Sequence, residues 1–259
     1  MPPTVLSAPH LLGATAVPSP PRIPDVHGGA RAHRSTGRAP LPTVWVWRID
    51  VTDGRHEDFV AATHLTDAER LRASLGTDAV RRRRILLRGA LRQVLGGLLD
   101  VLPARVPLVE DGGRPLLPTD RGLRFSCSAS GRVGLVAVAA GSDVGVDVQE
   151  HRDEDARAAT AEGWLTTAEE RALQGLPPAD RLRAVTRCWT QKEAVLKGLG
   201  LGLRQAPVTV ATPVAPAGRI GEWWTAPVAV RPGHVASVVI RTPQDEVDLV
   251  VRDMIVGET

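Results

Sequence analysis

Apolar and polar residues alternate along this chain with two different periods, which predicts a mixed α+β protein. A period of two at 44–51 predicts a strand. The stretch 125–131 predicts a strand that ends in a tight polar turn, the apolar stretch 133–140 predicts another, and 144–149 predicts a third. Four further strands are expected near 207–212, 223–230, 234–241 and 247–252.

Helical periodicity fills much of the sequence between these strands. One long helix is predicted at about 78–99, and a second runs into the segment 189–203, WTQKEAVLKGLGLGL, where the repeated glycines end it. A shorter helix at 65–72 begins with a Thr and a Glu at capping-box spacing. The stretch at 164–173 echoes that sequence about a hundred residues later.

This echo indicates an internal duplication. We therefore expect an α+β fold in which two similar α/β halves, related by a pseudo-twofold axis, pack along a cleft. The N-terminal half is expected at 44–142 and the C-terminal half at 143–259. Residues 1–43 are rich in Pro, Gly, Ala and Arg without an amphipathic period, and are expected to form a disordered leader.

Charge and composition indicate which ligands and partners the chain binds. The chain has a net charge of +3 and a pI of about 9.5, which suits anionic small molecules or acidic protein surfaces. Its two cysteines, Cys127 and Cys188, form no CxxC pair, so we expect neither zinc nor disulfides, and a cytoplasmic location. No signal peptide or long apolar run indicates membrane insertion. Few aromatic residues make a nucleic-acid partner the remotest alternative.

Both lysines of the chain lie in one predicted helix. Of 32 Lys and Arg residues, only Lys192 and Lys197 are lysines, and both lie close to Glu193. At about 100° per residue, Trp189, Glu193 and Lys197 share one helical stripe, with Lys192 beside it. A solvated Glu-Lys pair next to an interfacial Trp remains the alternative.

A second acidic position lies in the segment GVDVQ at 145–149. In a strand, Asp147 and Gln149 fall on one face. A carboxylate within a Val- and Gly-rich strand is costly to bury unless it is paired or bound to a cation. The alternative is a solvated Asp at the end of a strand.

The helix at 78–99 carries many arginines on two sides. Arg83 is predicted to project from the apolar side, where a cation is tolerated at the edge of the core or against an anion. The other four are predicted to form a solvated face. They are Arg81, Arg84, Arg88 and Arg92.

If the halves face each other, two carboxylates and two ammonium groups meet in one cleft. This set suits a magnesium-bound diphosphate, because the acids hold the ion and the lysines neutralise phosphate oxygens. The chain has neither a Walker A loop nor a GxGxxG motif opening a helix after a strand, so ordinary NTPase and dinucleotide folds are not indicated.

These segments, with FSCSASG at 125–131, resemble the 4'-phosphopantetheinyl transferases, specifically the long, pseudo-dimeric surfactin type, over about 44–252. The resemblance implies that the phosphopantetheine arm of coenzyme A is transferred to a serine of an acyl or peptidyl carrier protein. It also implies a Mg²⁺ requirement, release of adenosine 3',5'-bisphosphate and a monomer.

The resemblance also assigns residues around the metal. Asp147 and Glu193 would ligate Mg²⁺, with Gln149 as a further ligand, and Glu193 would serve as base for the carrier serine. Lys197 would contact the coenzyme A phosphates, with Lys192 nearby.

The same resemblance assigns the nucleotide contacts. Arg83 and Arg72 would bind the 3'-phosphate, and Arg114 and Pro115 would place a turn against adenine. Ser128 would lie beside the diphosphate.

Two positions depart from the family pattern. Gln149 stands where an acid is usual, and Ala129 stands where a His is usual. These changes leave open a catalytically weakened module that only binds coenzyme A or a carrier protein. They also lead us to expect that coenzyme A affinity depends more on the arginines.

Overall fold

The computed structural model describes residues 40–111, 114–118, 122–201 and 205–258. Residues 1–39 of the expected leader, and the segment 202–204 of the glycine-rich tail, lie outside the described residues. The first strand begins at Thr43. The described part is a mixed α+β structure, as the alternating periods predicted.

The first part of the chain forms a sheet covered by helices. After strand β1 come three helices, of which the last is the longest, and then a small hairpin and two long strands. The elements are β1 Thr43–Asp50, α1 Glu57–Thr63, α2 Asp67–Ala73, α3 Asp78–Leu99, β2 Val109–Asp111, β3 Arg114–Leu116, β4 Leu123–Ser130 and β5 Val133–Ala140.

The second part follows the same order of strand, three helices and strands. The elements are β6 Val144–Glu150, α4 Asp153–Ala161, α5 Thr167–Gln174, α6 Pro178–Leu199, β7 Gly218–Ile220, β8 Trp223–Pro227, β9 His234–Arg241 and β10 Asp248–Asp253. The strand predicted near 207–212 is wrong, because Pro207–Thr209 forms a 3₁₀ turn and no described strand lies between α6 and β7. Proline at its start supplies no N–H for a strand ladder.

Two four-stranded sheets form the centre of the molecule. The first has the order β10-β1-β5-β4, in which β10 runs parallel to β1, and the second has the order β6-β9-β8-β7. Alternate residues of β1, such as Val44 and Val46, join residues of β6 and β9 in a core between the sheets. The opposite face of the first sheet packs against α3, and that of the second packs against α6.

Serine hydroxyls join the edges of the two sheets. The Oγ atoms of Ser126, Ser128 and Ser130 on β4 accept the backbone N–H groups of β6 at 3.1, 3.3 and 2.9 Å. The hydroxyl of every second residue of β4 thus takes the place that a backbone carbonyl would have in a continuous sheet. The two sheets therefore meet along β4 and β6. This contact brings a strand of the first part beside Asp147 in the second.

Helix α3 differs from the sequence prediction. Its buried face includes Arg92, which is 3% exposed, while Arg83 is exposed. The expected solvated face is therefore wrong for Arg92 and for Arg88, whose Nη1 is buried, and Arg83 does not project from the apolar side. Arg92 is tolerated because its guanidinium bonds both carboxylate oxygens of Glu69, at 3.0 and 2.7 Å.

The same arrangement occurs twice, exactly one hundred residues apart. Capping boxes join Thr66 to Glu69 at the start of α2 and Thr166 to Glu169 at the start of α5. The second glutamate pairs with Lys192 of α6 at 2.9 Å, as Glu69 pairs with an arginine of α3. A buried cation on each long helix thus anchors the preceding short helix.

A glycine sets how closely α6 approaches the second sheet. A Cβ atom on Gly145 of β6 would lie 1.8 Å from the carbonyl oxygen of Ala194 in α6. Backbone therefore packs directly on backbone, which only glycine permits here. Among the described residues, no helix is both long and apolar enough to cross a membrane.

We predict that Gly145→Ala costs about 3 kcal/mol or more of unfolding free energy, because helix and strand must move apart. Chemical denaturation measures this. Gly163→Ala is the control, since Gly163 has a φ of +72° but open space around it, so only backbone strain of about 1–2 kcal/mol applies. Equal losses of unfolding free energy in the two variants would contradict the close contact between Gly145 and Ala194.

Candidate active site

Helix α6 places two charged side chains above the second sheet. The helix ends where Gly200 adopts a left-handed conformation, with φ of 77°. Glu193 and Lys197, one turn apart, face the strand β6 and lie beside Asp147. The stripe predicted from the sequence thus meets the predicted acidic strand.

Asp147 lies at the centre of this group. It is 5% exposed, and its Oδ1 accepts bonds from Lys197 Nζ at 2.5 Å and Ser128 Oγ at 2.7 Å. Lys197 Nζ also donates to Ser128 Oγ at 2.9 Å. Burial raises the pKa of Asp147, while the charge of Lys197 opposes that rise.

Glu193 is the least satisfied group in the site. It is 9% exposed, and its Oε1 has no hydrogen-bond partner among the described residues. Burial raises the pKa of Glu193, and the negative charge of Asp147 raises it further. Two buried carboxylates thus repel each other, with Lys197 as their nearby cation.

This donor set fits a divalent cation. An unpaired buried carboxylate oxygen beside a second carboxylate is the arrangement that a hard cation such as Mg²⁺ would neutralise. The described residues hold no third His, Cys, Asp or Glu in the group. Gln149 lies on the same face of β6 as Asp147, so an amide oxygen is the next protein donor along the strand.

Lys192 is not part of this group, which corrects its expected place near coenzyme A phosphates. It is fully buried, and its Nζ pairs with Glu169 and donates to the carbonyl oxygens of Pro207 and Val210. All of its polar contacts are therefore internal. The alternative of a solvated pair between Glu193 and Lys197 fails as well, because Glu193 is buried and Lys197 pairs with Asp147.

A cavity of about 280 Å³ opens on the other side of β4. Its walls combine apolar side chains with arginines. They are Glu69, Arg72, Ala73, Arg84, Leu87, Arg88, Leu91, Pro115 and Cys127. Burial raises the pKa of the Cys127 thiol to about 12, and the charges of Arg88 and Lys197 oppose that rise. Cys127 lines the cavity, and its neighbour Ser128 bonds Asp147, so β4 separates the cavity from the acidic group.

The arginines of the cavity are only partly engaged. Arg72 forms an ion pair with Glu110, and Arg84 donates to the backbone carbonyls of Arg72 and Leu75. The buried Nη1 of Arg88 has no partner among the described residues. Arg88 lines the cavity with its Nε 3.6 Å from Glu69 and its Nη2 3.9 Å from Glu110, whereas the predicted Arg83 is exposed and does not line it.

The predicted turn residues take two different places. Pro115 lines the cavity, while the guanidinium of Arg114 lies over Gly200 at the end of α6, where an added Cβ would be 1.9 Å from Nη1. Burial lowers the pKa of Arg114. The hairpin of β2 and β3 therefore contacts both the cavity and the helix that carries Glu193.

A second, smaller cavity of about 120 Å³ lies beyond Gln149. Trp164 and Trp189 form its apolar side, with ring centroids 5.1 Å apart in an edge-to-face arrangement. Charged residues line its rim, including Glu150 and Arg152. It lies between β6, α4 and α6.

Sequence reasoning missed Arg88 and the two buried ion pairs. The repeated Thr-x-x-Glu boxes were visible, and a cation follows each glutamate at the same interval, Arg92 after Glu69 and Lys192 after Glu169. That spacing could have revealed the pairs. Nothing in the helical pattern separated Arg88 from its neighbours, because its role depends on the cavity that β4 and the hairpin complete.

Comparison with known proteins finds related sequences. The model of the 4'-phosphopantetheinyl transferase superfamily matches residues 143–219. The chain is 33% identical over 183 residues to the 4'-phosphopantetheinyl transferase HetI of Nostoc sp., covering 67% of this chain and 76% of that protein.

A Synechocystis sp. protein, provisionally named a 4'-phosphopantetheinyl transferase, is 31% identical over 127 residues. That match covers 48% of this chain and 51% of the relative, so the chain spans about half of its length.

We predict that Glu193→Gln stabilises the protein in EDTA by about 1 kcal/mol, because it removes a buried charge that Asp147 repels. Thermal unfolding should show a rise of about 2–4 °C. Exposed Glu170→Gln is the control, with no change expected. Added Mg²⁺ should raise the melting temperature of the unmodified protein more than that of Glu193→Gln. A lower melting temperature for Glu193→Gln in EDTA would contradict the repulsion.

Proposed function

The chain belongs to the 4'-phosphopantetheinyl transferase family, and we propose that it moves the 4'-phosphopantetheine arm of coenzyme A to a serine of an acyl or peptidyl carrier protein. The proposed reaction requires Mg²⁺ and releases adenosine 3',5'-bisphosphate. The single observation that carries the mechanism is the buried meeting of Asp147, Glu193 and Lys197.

Glu193 is the proposed proton acceptor. The serine hydroxyl must lose a proton as it attacks phosphorus, and an unpaired carboxylate with a raised pKa suits that exchange. Lys197 is the proposed partner of the phosphate oxygens, because its side chain is 29% exposed and its ammonium lies beside Asp147. Ser128 holds both Asp147 and Lys197.

Asp147 and Glu193 are the proposed protein ligands of the metal, with Gln149 next to them. When bound, Mg²⁺ would neutralise negative charge on the diphosphate and on its leaving phosphate. Two carboxylates and an amide give this site less negative charge than three carboxylates would. Its metal affinity should therefore be modest.

The cavity beside Cys127 is the proposed place for the nucleotide. Apolar contacts from Leu87, Leu91 and Pro115 suit a flat base, and Arg72 and Arg88 suit a phosphate. Arg84 lies in the same wall. We therefore assign the phosphate contact expected of Arg83 to Arg88, which lines the cavity and whose ion pairs with Glu69 and Glu110 are long, at 3.6 and 3.9 Å.

The remaining expectations stay proposals. The repeated element order and the two buried ion pairs support pseudo-twofold halves at 44–142 and 143–259, and two joined halves support a monomer. The free thiols of Cys127 and Cys188 support a cytoplasmic location. The net positive charge supports an acidic carrier protein as partner.

The function is tested with coenzyme A, Mg²⁺ and an apo carrier protein. Intact-mass spectrometry should show the carrier gaining one phosphopantetheine group, and the gain should disappear in EDTA. Coenzyme A binding without any mass gain would support the alternative, a module that binds its ligands without transferring the arm.

We predict that Arg88→Ala raises the KM for coenzyme A about 10- to 100-fold, because a charge-assisted phosphate contact is lost. Arg83→Ala is the matched control on the same helix, with KM expected within about twofold. Steady-state transfer assays measure both. A large effect of Arg83→Ala with none for Arg88→Ala would return the phosphate contact to Arg83.

A further inference from the structure

Lys192 occupies a closed polar site directly behind the proposed active site. Its ammonium pairs with Glu169 at 2.9 Å and donates to Pro207 O at 3.2 Å and to Val210 O. It also lies 6.0 Å from the centroid of the Trp164 ring. A fully buried ammonium with this set of partners fixes α6 to the segment that follows it.

Glu169 connects that ammonium to two further elements. Its Oε2 accepts the N–H of Thr166 at 2.7 Å, and its Oε1 accepts both the N–H and the hydroxyl of Thr212 at 2.7 Å. Burial alone would raise the pKa of Glu169, but these donors and Lys192 outweigh it, so that the pKa is lowered. Glu169 is thus charged, and both of its carboxylate oxygens have hydrogen-bond partners.

The next residue along α6 is Glu193, whose situation is the opposite. With Oε1 unpaired among the described residues, little around the carboxylate fixes its direction. Its position must come from the helix itself. The contact between Gly145 and Ala194 sets the height of α6 above β6. Bonds from Thr190 to Ser237, from Gln191 to the carbonyl of Ala215 and from Lys197 to Asp147 also hold the helix. The buried ammonium of Lys192 adds a charged anchor on the residue next to Glu193.

We propose that the Lys192–Glu169 ion pair is a positioning device that, together with these bonds, fixes the rotation of α6 and thereby aims Glu193 at the reacting serine. This inference rests on the proposed function. Lys192 touches no substrate in it and acts through its neighbour. The fixed rotation matters for the rate of the chemical step, since small displacements of a reacting group are costly.

The first part of the chain supplies an internal comparison. Arg92 of α3 pairs with Glu69 and donates to carbonyl oxygens of Pro103 and Val106, as Lys192 does to Pro207 and Val210. The residue after Arg92 is Gln93, whose amide instead bonds the backbone at 257–258. The same device therefore occurs with arginine where no proposed active-site group follows it.

This comparison explains why a chain rich in arginine keeps a lysine here. An ammonium is compact, so the carbonyls at 207 and 210 approach α6 closely, whereas a planar guanidinium needs more room. We expect Lys192→Arg to displace α6 or that segment. Transfer assays should give a kcat about 10- to 100-fold lower, with the KM for coenzyme A within about twofold.

Arg92→Lys is the matched control for this exchange. It makes the reverse change at an equally enclosed ion pair, so its effect on melting temperature should resemble that of Lys192→Arg. Because Glu69 lines the proposed nucleotide cavity, the comparison is made at saturating coenzyme A, where the kcat of Arg92→Lys should stay within about twofold of that of the unmodified protein. A general loss of stability would lower activity in both variants alike, whereas positioning affects only one.

A second set of variants separates positioning from folding. Lys192→Met leaves Glu169 buried without its cation and should lower the melting temperature. Adding Glu169→Gln removes that charge, and the double variant should regain most of the lost melting temperature. Its kcat should nevertheless remain at least about tenfold below that of the unmodified protein, because the anchor is still missing.

The results for the transferase function and for the positioning role of Lys192 can be told apart. If the unmodified protein fails to modify any apo carrier protein, the proposed function is wrong. If it does so, but Lys192→Arg or the folded double variant retains an unchanged kcat, the positioning role is overturned. Equal losses of kcat in Lys192→Arg and Arg92→Lys would overturn it as well.

Discussion

The structure depends on holding two carboxylates, Asp147 and Glu193, in one buried space. Burial disfavours the charged form of each carboxylate, and the two negative charges also repel each other. One ammonium, that of Lys197, offsets part of this cost. The rest of the fold brings these groups together: Gly145 admits α6 to the strand, and the serines of β4 bring the first sheet to its edge.

Much of this could be predicted from local patterns. Strand alternation placed Asp147 and Gln149 on one face, and helical spacing placed Glu193 above Lys197, because both rules depend only on backbone periodicity. The capping boxes were equally local. The long helix predicted at about 78–99 was also well located, and the glycines after Leu199 correctly placed the end of the second.

The errors arose where tertiary contacts decide. Lys192 was expected among phosphates, but its place depends on Glu169 and on carbonyls from a segment with no regular pattern. Arg92 was expected in solvent for the same reason, because its partner Glu69 is distant in sequence. A helical wheel gives direction but not the neighbour in that direction, so it cannot separate a buried paired cation from a solvated one.

The parallel pairing of β10 with β1 has a consequence for how the protein forms. Thr43–Asp50 is made early, but its outer neighbour Asp248–Asp253 emerges from the ribosome only after the entire second sheet has been synthesised. Until then the first sheet has an open edge that other chains could join. The first sheet is therefore complete only after β10 has been synthesised, so the N-terminal part of the chain cannot finish folding independently of the C-terminal part during translation.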